Sequence, residues 1–242
     1  MISVVIPTYN EEKNIERCLK AFEQQTIPRE DFEIIIVDGQ SSDKTTEIAE
    51  NYADKVIQQV SKGVGGARND GAKIAKGNII VTTDADCIPY AEWLEVAQKH
   101  FEDENVVAVT GFLDPFDYEG MRNYETYIYR LLFGISNHML RVFSITGYYH
   151  LCGANSAFHR DTFLEIGGYQ DLPYSDDIEI YKRLKPKGKM VLDKRMKVNY
   201  SVRRIRKMSL WTYIYTITKN DFVTMIMNVK PKDDGYARQD YS

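Results

Sequence analysis

In the stretch VTTDADCIP, residues 81–89, Asp84 and Asp86 flank a single alanine directly after a run of apolar residues. Two carboxylates two residues apart, on chain leaving a strand, present hard oxygen ligands on a rigid edge; such oxygens suit Mg2+ or Mn2+ shared with phosphate. Alone, a DxD pattern is common in acidic proteins and usually marks a solvated loop. Here it has company. Asp38 ends a second apolar run, FEIIIVD, and PTYNE (7–11) follows a third, ISVVI. A single aspartate at such a place can merely cap the next helix. Three polar clusters at three strand ends point instead to one crevice. A further acidic pair, Asp176 and Asp177 in SDDIE, reads as a helix start that complements the macrodipole.

The elements that must position these residues follow from periodicity. The β-branched runs at 2–6, 32–38, 54–60 and 78–84 predict strands. Between them, Ile15, Cys18, Leu19 and Phe22 recur at helical spacing, with Asn10 as the expected N-cap; residues 44–53 and the segment from Ala67 predict two more helices. Strands alternating with helices, and nearly continuous apolar strands, imply an α/β fold with a mostly parallel Rossmann-like sheet covered on both faces. In such a sheet ligands sit outside the carboxyl ends of the strands, near the reversal of strand order. Residues 1–110 form this nucleotide-binding type of half. A second half, 111–207, continues VVAVTGFLDPF (106–116) with an aromatic-rich helical region, then a helix from SDDIE that ends near Lys185, because Pro186 forbids continuation. Residues 208–242 read as an aromatic segment and a polar tail. The two halves are expected to share one sheet.

Composition narrows the classes. The net charge of −4 conceals an asymmetry: residues 182–207 hold twelve Lys or Arg and one acid, Asp193, whereas residues 1–181 hold thirty acids and fifteen bases. An acidic body argues against nucleic acid as a partner. Cys18, Cys87 and Cys152 lack paired spacing, which fits a reducing, cytoplasmic setting. No window is long and apolar enough for a spanning helix, and the chain starts without a secretory pattern. GVGGAR follows a third strand rather than a first, so it is no dinucleotide fingerprint, and no P-loop is present. Of the four histidines, His100, His138 and His159 read as structural or surface residues; His150, just before CGAN, is the one that could reach a site.

Four segments in order, VVIPTYNEEKNI, IIIVDGQSSDKT, GVGGARNDGAKIAKGNIIVTTDAD and GANSAFHRDTFLEIGGYQDLPYSDDIEIYKRL, resemble the family 2 glycosyltransferases of the GT-A fold over most of residues 1–184. The resemblance implies an inverting transfer from a UDP- or GDP-linked sugar to a glycan or lipid-phosphate acceptor, assisted by Mg2+ or Mn2+. Pro7, Thr8, Tyr9 and Glu11 would line the base and ribose, and Asp38 would accept a hydrogen bond from the base. Arg68 would approach the base and diphosphate. Asp84, Ala85 and Asp86 would form the ribose and metal edge, with Asp86 the more direct metal ligand. Gly153, Ala154 and Asn155 would floor the space between donor sugar and acceptor. Asp177 would be the general base and Asp176, where the family commonly has glutamate, would position the acceptor.

Arg203 and Arg204 precede Trp211, Tyr213 and Tyr215, a basic and aromatic combination suited to phosphate and to a membrane interface. They are the expected contacts to the donor diphosphate or an acceptor phosphate. This places the protein in the cytoplasm, with peripheral contact to the anionic face of a membrane; a helix packing on the catalytic half or on a second subunit is the other expectation. Two rivals stand against transfer. A sugar-phosphate nucleotidyltransferase should carry a glycine-rich loop after the first strand, where PTYNEEKNI has none. A non-catalytic sugar-nucleotide or glycan-binding module would not need Asp84, Asp86 and Asp177 together.

Overall fold

A computed structural model describes residues 1–172 and 176–208. The strands are β1 (Ile2–Thr8), β2 (Phe32–Asp38), β3 (Lys55–Gln58), β4 (Ile79–Thr82), β5 (Cys87–Pro89), β6 (Val106–Phe116), β7 (Ser156–His159) and β8 (Lys189–Ser201). They form one sheet in the order β3-β2-β1-β4-β7-β6-β8-β5, so both halves of the chain contribute to it. The β3-β2-β1-β4 block is parallel. The second half is mixed: β7 runs antiparallel to both β4 and β6, while β6 and β8 are parallel. The mostly parallel expectation therefore holds for the first half, and one reversed strand joins it to the second.

Continuous apolar strands have a direct cause. Ile2, Val4 and Ile6 enter one core with Ile34 and Ile36, and the alternating Val5, Ile35 and Val37 enter the core on the opposite face. Successive side chains point to opposite faces, so a strand buried twice has no polar side to show. The covering helices are α1 (Ile15–Lys20), α2 (Thr45–Ala49), α3 (Gly63–Ile74), α4 (Trp93–His100), α5 (Asn123–Ile145), α6 (Arg160–Glu165), α7 (Asp176–Leu184) and α8 (Arg203–Met208). Helix α7 stops just before Lys185, as Pro186 requires.

Two local expectations are corrected. Asn10 caps no helix: it takes a left-handed φ of 51°, and its Oδ1 accepts the Ser42 N–H at 2.9 Å, tying the loop after β1 to the loop after β2. Helix α3 starts at Gly63 rather than Ala67, because its glycines are contact surfaces and not loop residues. A Cβ on Gly71 would lie 2.4 Å from Val5 Cγ1 and 3.1 Å from Val37 Cγ2, so this helix presses its backbone onto β1 and β2.

Gly71→Ala should accordingly overpack the helix–sheet contact and lower unfolding free energy by about 1–3 kcal/mol. Urea denaturation measures this; an unchanged midpoint would mean that the contact is looser than described.

Candidate functional site

Strand order reverses between β1 and β4, and there the carboxyl ends of β1, β2 and β4 deliver Thr8, Asp38 and, just past Thr82, Asp84 to one edge. The antiparallel β7 pairs Ser156 with Thr82, so the segment before it, residues 153–155, arrives at the same edge. Strand β8 runs parallel to β6 and ends at Ser201, and β5 pairs Cys87 with Tyr200; Arg203 thus emerges beside Asp86. Helix α7 contributes Asp176 and Asp177 from its first turn.

Two guanidinium groups organise the carboxylates. Arg68, 4% exposed, donates from Nη2 to Asp84 Oδ1 at 2.6 Å, and its Nη1 lies 3.8 Å from Asp176 Oδ2. Its Cζ stands 5.5 Å from the centre of the Tyr169 ring, a cation–π contact. Burial would lower its pKa, but Asp84 and the neighbouring acids outweigh that and hold it above the ordinary arginine value. Gly153 gives it room: a Cβ there would lie 2.3 Å from Arg68 Cζ. Arg203 donates from Nε to Asp86 Oδ2 at 2.9 Å and from Nη2 to Glu11 Oε1. Glu11 is buried, which raises its pKa against the opposing pull of Arg203.

The expected metal edge has the right donor set. Oxygen atoms of Asp84 and Asp86 and the Cys87 sulfur lie within 4.8 Å of one another. Burial pushes the Cys87 thiol well up, so the two carboxylates are the groups that would hold an ion, and carboxylate oxygens fit a hard divalent one. Ala85 between them is 3% exposed and packs in the core, and Asp86 beside it is 4% exposed.

On the opposite lip, Asp177 is held at both oxygens. The Gly153 N–H donates to Oδ1 at 3.3 Å, and His150 Nε2 lies 3.1 Å from Oδ2. Burial alone would depress His150, but the Asp177 carboxylate raises its pKa well above the usual imidazole value. Asp176 is shifted the other way from an ordinary acid: burial, and then repulsion from Asp177, raise its pKa despite Arg68. The acidic pair thus divides into Asp177, held by His150 and the Gly153 N–H, and Asp176, beside Arg68, whose pKa is pushed up to about 7.

Other expected residues fall into distinct places. Tyr9 is 51% exposed at the rim, while Thr8 Oγ1 donates to Asp38 Oδ1 at 3.1 Å. Asp38 is 1% exposed and also accepts from Ser41 N–H and Oγ, so it braces the loop after β2. Pro7 stays within β1 opposite Val37. Ala154 is buried. The Asn155 side chain does not face the crevice: its Oδ1 accepts Trp93 Nε1–H at 2.7 Å and its Nδ2 donates to Phe112 O and Met196 O, each at 3.0 Å. It locks the sheet beneath the floor rather than forming it. His100 pairs with Asp193 at 2.8 Å, away from the crevice. The Arg204 side chain, and the aromatic segment with Trp211, Tyr213 and Tyr215, lie outside the described residues. Sequence reading missed Cys152, which with His150 and Asp177 forms a second group of close ligating atoms, and Tyr169, the ring beneath Arg68. Neither sits in a pattern that separates it from an ordinary core residue.

With this geometry in hand, comparison places the chain. The pattern defining Glycosyl transferase family 2 matches residues 3–167. A glycosyltransferase of Haloferax volcanii, AglE, is 39% identical over 100 residues, which cover 39% of this chain and 33% of that protein. The amylovoran biosynthesis glycosyltransferase AmsE of Erwinia amylovora is 28% identical over 251 residues, covering 98% of this chain and 89% of that one. A poly(ribitol-phosphate) beta-glucosyltransferase of Bacillus spizizenii is 46% identical over 92 residues; the match spans 14% of its length. Against the Haloferax and Bacillus proteins, then, this chain spans a third or less. Among solved structures, the mannosyltransferase PcManGT of Pyrobaculum calidifontis, in complex with GDP-Man and Mn2+, superposes with a TM-score of 0.65 at 24% identity, covering 90% of this chain and 64% of that one. Staphylococcus aureus TarS in complex with UDP-GlcNAc gives 0.64 at 19%, covering 83% and 58%. These two share the fold.

The His150–Asp177 pair makes stability depend on pH. A folded pKa above the unfolded value of about 6.5 means the contribution is fully present below that pH. It is lost as pH rises through the higher folded value. His150→Gln should flatten this alkaline-side decline in urea midpoints; an unaltered stability–pH curve would refute the pairing. Separately, Arg68→Ala leaves Asp84 uncompensated at the crevice and should cost about 3–5 kcal/mol in the same assay.

Proposed function

Because the chain belongs to Glycosyl transferase family 2, we propose that it is an inverting glycosyltransferase acting on a nucleoside diphosphate sugar. One observation carries the reading. The paired acids Asp84 and Asp86 face Asp177 across a single crevice, and Arg68 links the two sides.

The donor nucleotide lies along the β1 and β2 edge, where Tyr9 offers a ring for stacking and Pro7, Thr8 and Glu11 shape the wall. Asp84 and Asp86 would hold Mg2+ or Mn2+, which neutralises charge on the departing diphosphate when bound. Arg68 and Arg203 supply fixed positive charge along the same path, already aimed and partly desolvated. PcManGT with GDP-Man and Mn2+ and TarS with UDP-GlcNAc support a UDP- or GDP-linked donor. A nucleoside diphosphate sugar would compete with Asp86 and Glu11 for Arg203.

At the other lip, Asp177 takes the proton of an acceptor hydroxyl as its oxygen attacks the anomeric carbon. Attack comes from the face opposite the diphosphate, so one displacement inverts the configuration. His150 fixes Oδ2 and the Gly153 N–H touches Oδ1, so the carboxylate is oriented before the acceptor arrives. Asp176, beside Arg68, would position the acceptor hydroxyl. The acceptor is a glycan or lipid-linked hydroxyl, in keeping with relatives named for poly(ribitol-phosphate) and for a dolichyl-linked sugar phosphate.

Two variants divide the roles. Asp177→Asn should retain donor binding and lose transfer by about 10²–10⁴-fold. Asp86→Ala should abolish the metal-dependent rise in melting temperature that a tight donor produces. Thermal-shift screening of UDP- and GDP-sugars with Mn2+, followed by transfer assays, reads both; undiminished transfer by Asp177→Asn would remove the base assignment.

A further inference from the structure

Two groups of ligating atoms stand along the crevice, and they differ in chemistry. Asp84 and Asp86 offer hard carboxylate oxygens, whereas His150, Cys152 and Asp177 offer one nitrogen, one sulfur and one oxygen, each within 4.8 Å of the others. Cys87, near the first group, is fully buried; Cys152 is partly exposed. The proposed transfer uses Asp177 and its partner His150 but leaves the Cys152 thiol without a task.

Backbone contacts hold the second group in place. Leu151, between His150 and Cys152, is buried in the core, and the residues on either side of it meet at Asp177. The His150 carbonyl accepts from Thr110 Oγ1 at 3.0 Å, and the Cys152 carbonyl accepts from the Asn155 N–H at 2.9 Å. The Gly153 N–H donates to Asp177 Oδ1 at 3.3 Å, which leaves Oδ2 facing His150 Nε2 at 3.1 Å. All three side chains are partly exposed, so an ion can reach them from the crevice. Donor chemistry then selects the ion. Imidazole and thiolate favour zinc over magnesium or manganese, which prefer oxygen, and zinc accepts three protein ligands with a fourth position open. Zinc bonds of about 2.0–2.3 Å set tetrahedral ligand atoms about 3.3–3.7 Å apart. The His150–Asp177 spacing of 3.1 Å is already close to this, and the thiol closes the rest by a side-chain movement on the order of 1 Å.

We propose that His150, Cys152 and Asp177 form a zinc site on the acceptor lip, separate in metal preference from the carboxylate edge. Binding replaces the proton between His150 and Asp177 and the proton of the Cys152 thiol, and both pass to solvent. The consequence rests on the transfer reading above. With Oδ2 bound to zinc and Oδ1 held by the Gly153 N–H, Asp177 takes no proton from an acceptor. Zinc therefore closes the acceptor lip while the donor edge keeps its own ion.

Cobalt and zinc titrations of the full chain, without donor or acceptor and with a phosphine reductant, test the site. Co2+ should give a thiolate charge-transfer band in the near ultraviolet that saturates at one ion per chain, and Zn2+, but not Mg2+, should abolish it. Cys152→Ser should remove the band and weaken zinc at least about tenfold, the lower end of what even an outer-shell partner contributes. Cys87→Ser should keep both. Alkylation of the wild type, mapped by mass spectrometry, needs no variant and decides the matter should Cys152→Ser fail to fold: Zn2+ should protect Cys152 from iodoacetamide. A band that survives Cys152→Ser or follows Cys87 overturns the proposal, as does Cys152 alkylation unchanged by excess zinc. In transfer assays with Mn2+, zinc should inhibit at the concentration that fills the site. Full transfer with the site filled leaves the zinc site standing and removes Asp177 as the base.

Discussion

A buried guanidinium organises this molecule. Arg68 cannot leave its charge among the side chains of α3 and β7 without nearby anions, since an uncompensated charge in a poorly solvated place is among the costliest features a fold can hold. Asp84 comes from the end of β4 and Asp176 from the start of α7, and both reach the same arginine. The ion pairs thereby tie the sheet edge to the far lip. Tyr169 and Gly153 complete the enclosure, one as a ring and the other as an absence of side chain. Arg203 repeats the device from the end of β8, between Asp86 and Glu11.

The topology explains why so few residues suffice. Reversal of strand order at β1 opens the crevice, and the antiparallel strand β7 turns the second half so that its entering loop, not its leaving loop, meets Asp84. Charges of alternating sign are thus fixed by strand ends rather than by long loops. That is the condition under which electrostatic stabilisation is worth most. The same second half presents the outer face of α5 to solvent.

What was legible follows from what each element must bury. Strands β1, β2 and β4 are apolar on both faces, and Asp38, Asp84 and Asp86 stand out against them. The order of the four segments was enough to name the family and the fold. The glycines of α3 misled for a physical reason: glycine ordinarily signals a loop, yet here Gly71 lets a helix touch Val5. Asn10 looked like a cap because its type favours one, and instead it uses the left-handed conformation that asparagine tolerates.

By itself, then, the sequence determined the layered sheet, its carboxyl edge and the acids along it, because burial periodicity and residue type are local properties. Only the tertiary structure decided which partner each acid has. Asn155, expected at a floor, spends its amide on Trp93, Phe112 and Met196; His150 turns out to hold Asp177; Arg203 returns from beyond residue 200 to meet Asp86 and Glu11. Pairings across such separations depend on strand register and on which side chain finds room. Spacing along a chain carries no record of either.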